Sequence, residues 1–305
     1  MNFEQYPISQ SLIKEFFHNG EEKDICPSRT AQIHIFHHYH LEETESMLKG
    51  KFFETLCIGK SRKGEQVLDL PRKKLKKIEE IENRIRVKEG KELILGEKTI
   101  DQLRIETQAQ RFRTLCMKYQ IMVLDENTQV PIVIRWHKDP DVLITMELDI
   151  FPTPILLNEE LSVAIIDLKL TADIHSTYGD YCYGAPHEMD LIQGKMYHYG
   201  IRKMDFELNP HLENRISDSL KRMIDDNKVL FLLWVFNYKK EVPEDKFIKI
   251  KWDPAKEAEL HASIAQTVAA IEFYDKQGWP TNPIKTLCKD CPIFDCKDRL
   301  EIESI

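Results

Sequence analysis

An aspartate and a lysine close an otherwise apolar segment near the middle of this chain. Val163-Ala164-Ile165-Ile166 is followed directly by Asp167-Leu168-Lys169. Side chains two residues apart on a strand point to the same face, about 6.6 Å apart. Charges in so apolar a segment cost free energy unless they are paired or bound to an ion. The segment therefore predicts a strand that ends in a paired or ion-bound charge.

A second carboxylate follows a similar apolar segment eighteen residues earlier, at Asp149. If the two strands are neighbours, Asp149 and Asp167 repel each other and attract a divalent cation such as Mg²⁺. Such an ion activates water for phosphodiester hydrolysis, and Lys169 could position that water or neutralise the developing charge. The alternative is a buried ion pair between Asp167 and Lys169.

The spacing of apolar residues predicts an α/β chain. Helical spacing covers residues 9–19, 29–58, 72–92, 100–119, 186–200 and 253–276, with Ser28 as a cap and Pro186 near a helix start. Alternation and apolar runs predict strands at 130–136, 143–151, 162–170, 229–238 and 247–252, with Pro152 and Pro154 ending the second. This order predicts a single domain over residues 1–305, with a central mixed sheet flanked by helices.

Charge is distributed unevenly along the chain. Residues 60–118 carry 17 Lys and Arg but 10 Asp and Glu, whereas the whole chain has a formal net charge of −8. We interpret 60–118 as a helical, basic insertion that could contact a polyanion, although a solvated helical face is an equal alternative. The candidate phosphate contacts are Lys73, Lys74, Arg104, Arg111 and Arg113.

Three polar residues outside the strands could support the same site. Gln193 and Tyr197 are four residues apart and therefore share a helical face behind the Asp-x-Lys strand. Glu54 lies in an upstream helix and could add a third carboxylate. Glu147 shares a strand face with Asp149, although a surface acid is the simpler interpretation.

Three closely spaced thiols near the end of the chain indicate a metal or cluster site. Cys288, Cys291 and Cys296 lie within nine residues, and Cys26 is the best candidate for a fourth ligand. Either a [4Fe–4S] cluster or a tetrahedral Zn²⁺ would suit four thiolates and would join the two ends of the chain. The remaining cysteines are predicted to be buried apolar residues.

Two aromatic groups allow a functional and a structural interpretation. His34 and His38 share a helical face and could bind a metal, or lie on an ordinary surface or groove. Tyr178, Tyr181 and Tyr183 follow the Asp-x-Lys strand and could stack on unpaired bases, or simply pack a loop. The N-terminal residues lack a secretory pattern and no apolar run approaches 18 residues, so we expect a cytoplasmic protein without a membrane span.

Taken in order, these motifs resemble the PD-(D/E)XK nuclease superfamily, in particular its RecB-like branch with an iron–sulfur cluster. That branch includes AddB-type and CRISPR-associated nucleases, and the segment around Glu54 also resembles phage-type exonucleases. The resemblance rests on Cys26, Glu54, Asp149, Asp167-Leu168-Lys169, Gln193, Tyr197, Cys288, Cys291 and Cys296. It implies a restriction-endonuclease-like core with an N-terminal helical region.

The resemblance also implies roles for these residues. Asp149, Asp167 and Glu54 would bind Mg²⁺ or Mn²⁺, Lys169 would serve hydrolysis, and Gln193 and Tyr197 would support the site. The four cysteines would hold a structural [4Fe–4S] cluster. We expect a metal-dependent DNA exonuclease in phage or bacterial DNA processing, recombination or repair, possible partners being other DNA-processing proteins. The alternative is an inactive nucleic-acid-binding or scaffolding protein with the same fold.

Overall fold

The computed structural model of the protein describes residues 1–18, 21–157, 160–178, 181–189, 192–250 and 253–298. Its helices are α1 (Gln10–Phe16), α2 (Pro27–Thr30), α3 (Glu45–Ile58), α4 (Lys77–Lys88), α5 (Ile100–Tyr119), α6 (Ile192–Arg202), α7 (Asp218–Asp225), α8 (Pro254–Lys276) and α9 (Lys285–Lys289). Its strands are β1 (Ile8–Ser9), β2 (Phe17–His18), β3 (Glu21–Glu22), β4 (Thr128–Trp136), β5 (Asp139–Leu157), β6 (Glu160–Thr171), β7 (Val229–Asn237) and β8 (Glu244–Ile250).

A central six-stranded mixed sheet organises the chain. Strand β5 pairs antiparallel with β4 and β6, and the short β1 adds to β5 in parallel. Strand β7 lies parallel to β6 and antiparallel to β8. A parallel pair needs a long crossover connection, and here the segment from β6 to β7 contains α6 and α7. The predicted mixed sheet with flanking helices is therefore confirmed.

Two hydrophobic clusters cover the two faces of the sheet. One cluster joins the sheet to α1, α6 and α8, and the other joins it to α3 and α5. Every residue of β7 is buried, because helices cover this strand on both sides. Asp167 and Lys169 alternate with the second cluster's Ile166 and Leu168, so they belong to the face covered by α6.

The predicted helix over 29–58 is wrong because its middle is not helical. Helix α2 begins after Cys26, with Pro27 in its first turn, and not at a Ser28 cap. It continues as a π-helical turn over Ala31–Ile35, and Thr44 then caps α3 by accepting a hydrogen bond from the Met47 amide at 3.2 Å. Likewise α1 ends at Phe16, where the hairpin of β2 and β3 begins.

Other predicted bounds need smaller corrections. Strand β5 runs past Pro152 and Pro154 to Leu157, because its register with β6 shifts between Ile150 and Thr153 and pairing then resumes. Pro186 lies in a separate helical turn before α6. The predicted helix over 72–92 is shorter, at Lys77–Lys88, and Trp252 of the last predicted strand lies outside the described residues. In the parts of the chain that the structure describes, no helix is long and apolar enough to span a membrane.

Candidate active site

The two aspartates meet across neighbouring strands. Ile150 of β5 is opposite Ile166 of β6, so Asp149 and Asp167 are the next facing positions of the antiparallel pair. The Leu168 amide donates a hydrogen bond of 2.7 Å to Asp149 Oδ2. Both carboxylates are buried, with relative exposures of 1% and 0%. The strand pairing therefore holds two acidic groups together inside the protein.

Lys169 provides the positive charge beside them. Its Nζ lies 2.5 Å from Asp167 Oδ2, and its side chain is largely buried. Burial disfavours the ammonium, but the negative charges of Asp167 and Asp149 outweigh that cost and raise the pKa of Lys169. The lysine is therefore protonated across the physiological pH range and remains available to anionic groups at the site.

Helix α6 orients Asp167 through two of its side chains. Gln193 Nε2 donates to Asp167 Oδ1 and also to the Tyr197 hydroxyl, the latter at 2.9 Å. Tyr197 donates in turn to the Glu147 carbonyl at 2.7 Å. The helix can approach the sheet because residue 194 is glycine, where a Cβ would lie 2.8 Å from the Phe231 ring. Gln193 and Tyr197 thus connect α6 to both carboxylate-bearing strands.

The carboxylates are mutually destabilised in their ionised forms. Burial, and then the charges of Asp167 and Glu54, raise the pKa of Asp149 well above its ordinary value. Half-buried Glu54 accepts a hydrogen bond of 2.7 Å from Ser61 Oγ, yet burial raises its pKa as well. A divalent cation would relieve this repulsion, and the resulting charge balance favours metal binding.

Two further residues join the site without a signal in the sequence. Gln129 donates to Asp149 Oδ1 at 3.2 Å and has a backbone φ of 46°. Arg62 follows α3 in a short helical turn, and its guanidinium interacts electrostatically with Asp149, Asp167 and Glu54. Both residues line a cleft of about 730 Å³ that Tyr197 also borders. Neither could be predicted, because chain folding alone brings them to the carboxylates.

The remaining aromatic and acidic candidates lie around this centre. Tyr181 and Tyr183 are close enough to Lys169 to interact with it electrostatically, and their rings stack with centroids 6.0 Å apart. Tyr178 is exposed. Glu147 is tied to the wall of the cleft, where it accepts a hydrogen bond of 3.0 Å from the Lys63 amide.

The histidine pair does not form. His34 lies in the π-helical turn, which ends at Ile35, whereas His38 is exposed beyond it and contacts Gln32 at 2.8 Å. Burial lowers the pKa of His34, whose Nε2 is 3.5 Å from a Glu15 carboxylate oxygen. His34 also borders the cleft described above, which agrees with the interpretation as groove residues.

The acidic centre suits an ion that needs few protein ligands. Within the described residues, no three His, Cys, Asp or Glu side chains are gathered tightly enough to form a complete metal site. Mg²⁺ usually takes one or two carboxylates and completes its shell with water and phosphate oxygens. In the described structure Gln129 Oε1 is buried without a hydrogen bond, and Asp167 Oδ2 contacts the Lys169 ammonium. Asp149 and Asp167, with Glu54 beside them, therefore fit such an ion.

The four cysteines of the predicted cluster line one small cavity. Cys26, Cys288, Cys291 and Cys296 are free thiols around a space of about 20 Å³. The two ends of the chain are joined there, because the Ser28 amide donates to the Pro280 carbonyl at 3.2 Å and the Asn282 side chain donates to the Ile25 carbonyl at 3.0 Å. The thiols do not form a complete metal site as they stand in the described structure.

The basic residues proposed for phosphate contact have partners within the chain. Arg111 Nε donates to Asp245 at 2.6 Å, and Arg113 donates to the Leu56 carbonyl at 2.8 Å. Arg104 and Lys73 form longer ion pairs, of 3.9 Å with Glu241 and 3.8 Å with Glu97. Lys74 is exposed. A role of these residues in DNA binding stays a prediction, and Arg62 is better positioned toward the carboxylates.

The central mixed sheet and its flanking helices agree with the restriction-endonuclease-like fold expected from the sequence. Neither a family model nor a curated protein matches the sequence. The crystal structure of a candidate exonuclease from Eubacterium rectale is similar, with a TM-score of 0.51 over 99% of this chain and 91% of that one. The sequences are 16% identical, so the similarity concerns the fold.

Proposed function

We propose that the protein is a Mg²⁺- or Mn²⁺-dependent nuclease that hydrolyses phosphodiester bonds in DNA, acting as an exonuclease on free ends. The observation that carries the proposal is the convergence of buried Asp149 and Asp167 beside Lys169. Two buried carboxylates beside a single lysine ammonium are costly to keep ionised, and an ion-binding role accounts for keeping both. The candidate exonuclease with a similar fold supports the same class of activity.

When bound, the metal ion would lower the pKa of an attacking water and stabilise charge that develops on the phosphate. Gln193 orients Asp167, and the Leu168 amide orients Asp149. Lys169 contributes a permanent positive charge that positions the water or neutralises the transition state. These side chains are held before substrate arrives, which lowers the reorganisation needed during the reaction.

The substrate proposed here is DNA with a free end. The cleft of about 730 Å³ is bordered by Gln129 and Tyr197, which contact the carboxylate strands, and Arg62 and Lys63 on its wall supply positive charge. Tyr181, which interacts electrostatically with Lys169 and is exposed, offers a ring on which an unpaired base could stack, and buried Tyr183 packs beside it. Such contacts carry little sequence information, which suits degradation of any sequence.

The direct test incubates end-labelled linear DNA and closed circular DNA with Mg²⁺, Mn²⁺ or a chelator. We expect linear DNA to be degraded when either metal is present, circular DNA to persist, and the chelator to stop the reaction. Cleavage of closed circular DNA would show that the protein is an endonuclease and not an exonuclease. Binding of DNA without any cleavage, across both metals, would favour the inactive scaffolding alternative.

Replacement of the site lysine tests the chemical role of its charge. Lys169→Met keeps most of the buried volume but removes the ammonium, so we expect the cleavage rate to fall by about a hundredfold or more. The matched control is Lys91→Met, because Lys91 is exposed and pairs only with neighbouring Glu89 in the described structure. DNA binding measured by fluorescence anisotropy should change little, and unchanged cleavage by Lys169→Met would contradict the proposed role.

Arg62 is expected to act on the phosphate rather than on the fold. Arg62→Met removes the guanidinium from the cleft wall, and we expect kcat/KM to fall by about ten- to a hundredfold. Because the side chain is exposed but offsets the charges of the carboxylates, the melting temperature measured with saturating Mg²⁺ should fall by only a few degrees. Arg222→Met, at an exposed position on α7, is the control. Partial recovery by Arg62→Lys would support a charge contact, and full activity of Arg62→Met would exclude one.

A further inference from the structure

Helix α4 contributes nothing to the core of its own chain. None of its residues is buried, although Ile78, Ile81 and Ile85 are large aliphatic side chains. Their relative exposures are 77%, 51% and 51%. Spacings of three and four residues align them on one face of the helix. The helix thus presents an apolar stripe that no other described residue covers.

The opposite side of α4 is occupied by the segment that follows it. Asn83 holds Ile94 by two hydrogen bonds of 2.7 Å, one from the Ile94 amide and one to its carbonyl. Arg86 donates to the Glu92 carbonyl at 3.2 Å. In a helix of 3.6 residues per turn, positions 83 and 86 lie away from the isoleucine stripe. Intrachain hydrogen bonds therefore hold one face of α4, and the apolar face remains exposed.

We propose that the isoleucine stripe binds the same stripe of a second copy of this chain, with the two α4 helices parallel. Ile78, Ile81 and Ile85 have the a, d and a spacing of a short coiled coil. Lys77 and Arg84 then fall at the g positions that flank the stripe, and Glu82 and Glu89 fall at the e positions.

The flanking charges select both the partner and the direction. In a parallel pair each g residue faces the e residue five positions later on the other helix. Lys77 would face Glu82 of the second copy, and Arg84 would face Glu89 of the second copy, so every pair is complementary. An antiparallel pair would set lysine and arginine against each other and glutamate against glutamate. Charge complementarity thus favours a parallel homodimer.

The intrachain contacts leave an oxygen of Glu82 for the pair with Lys77, whereas the Arg84–Glu89 pair would compete with the ion pair of 2.8 Å between Glu89 and Lys91. Arg86 donates to Glu82 Oε1 from Nε at 3.0 Å and from Nη2 at 2.9 Å. The Oε2 atom of Glu82 therefore remains for Lys77 of the second copy. Lys88, which ends the helix at the next d position, has a long side chain that can extend to solvent beyond the stripe. The contact is small, so it should form a weak dimer that depends on concentration.

Sedimentation equilibrium of the full chain tests the proposal without reference to catalysis. Between about one and a few hundred micromolar we expect a monomer–dimer equilibrium. Ile81→Glu should raise the dissociation constant by about tenfold or more, because it puts two carboxylates in the apolar seam. Val87→Glu is the matched control, since Val87 is also exposed, at 65% against 51% for Ile81, but faces away from the stripe. Circular dichroism should report folded protein for both variants.

Two further variants distinguish the parallel from the antiparallel arrangement. Lys77→Glu should weaken the dimer, and adding Glu82→Lys should restore it, because the complementary pair is rebuilt with reversed sign. Ile78→Cys should form an intermolecular disulfide in a parallel pair, whereas an antiparallel pair would separate the two cysteines by about 10 Å. A monomer at all concentrations, or a dimer insensitive to Ile81→Glu, would overturn the proposal. A dimer that Lys77→Glu strengthens would overturn its direction.

Discussion

Asp149→Asn should abolish metal-dependent DNA cleavage while stabilising the metal-free protein. Loss of one of two carboxylate ligands is expected to lower the cleavage rate by about a thousandfold or more. The stability gain follows from the burial of the Asp149 carboxyl and then from repulsion by Asp167 and Glu54, which together raise the pKa of Asp149. An amide at position 149 could still accept from the Leu168 amide, and Gln129, whose Oε1 is unpartnered in the described structure, could accept its new donor.

The pKa shift of Asp149 determines whether the stability of the metal-free protein rises or falls with pH. A carboxyl whose pKa is raised by folding binds its proton more tightly in the folded state than in the unfolded state. Its contribution to stability is complete below the ordinary aspartate pKa of about 3.9 and is lost as pH rises through the folded value. In chelator, the free energy of unfolding of the wild type should therefore fall as the pH rises from the ordinary aspartate pKa through the folded pKa. That of Asp149→Asn should fall less.

Thermal unfolding in chelator, measured at several pH values, checks the stability effect, and the DNA assay checks the activity. The matched control is Asp226→Asn, because Asp226 is exposed and its described partner is Lys228 at 3.8 Å. Added Mg²⁺ should stabilise the wild type more at high pH than at low pH, and Asp149→Asn hardly at all. Retained cleavage, or an unchanged dependence of stability on pH, would contradict the proposed metal centre.

The parts of the fold that the sequence predicts are those in which local pattern and tertiary packing agree. Helix α5 has its predicted bounds because Thr99 caps its start and Gln120 adopts a left-handed conformation at its end. Strand β7 was predicted from its continuous apolar run, since both of its faces are buried. In such segments, neighbouring elements reinforce what each residue favours locally.

Elsewhere, contacts distant in sequence override the local pattern. The apolar residues between 29 and 58 have helical spacing, yet the chain leaves the helix after Ile35 and starts again at Thr44. Pro152 and Pro154 were predicted to end a strand, but β6 continues to pair with β5 beyond them. The two-residue strand β1 is specified by its pairing with Ile144 and Thr145 rather than by its own residues.

The residues of the candidate site also differ in whether the sequence alone predicts them. Asp149, Asp167 and Lys169 are conspicuous because charge in an apolar strand is unusual, and Gln193 follows from helical spacing. Arg62 and Gln129 are a surface arginine and a glutamine in ordinary polar context. Their proximity to the carboxylates depends on how α3 and β4 pack against β5 and β6. Residues of this kind can be identified only when their electrostatic and hydrogen-bond partners are known from the structure.

The cavity lined by the four cysteines is expected to contribute strongly to the stability of the protein. We propose that Cys26, Cys288, Cys291 and Cys296 hold a metal or cluster that joins the two ends of the chain. A ligand held by both ends restricts a loop that spans nearly the whole unfolded protein. Cys291→Ala should therefore cost about 3 kcal/mol or more, in the range found when a native cross-link is lost. Thermal unfolding of protein purified anaerobically measures this loss.

Cys57→Ala is the control, because Cys57 and Cys291 are buried to the same extent, each with 8% relative exposure. Loss of a buried thiol alone should cost about 1 kcal/mol, since it removes a small apolar group. Metal analysis separates the two possible occupants: iron with absorbance near 400 nm indicates a [4Fe–4S] cluster, and a colourless zinc protein indicates a tetrahedral ion. A strong chelator should destabilise the wild type and Cys57→Ala but not Cys291→Ala. Equal losses in the two variants, in protein free of metal, would show that four neighbouring thiols merely pack together.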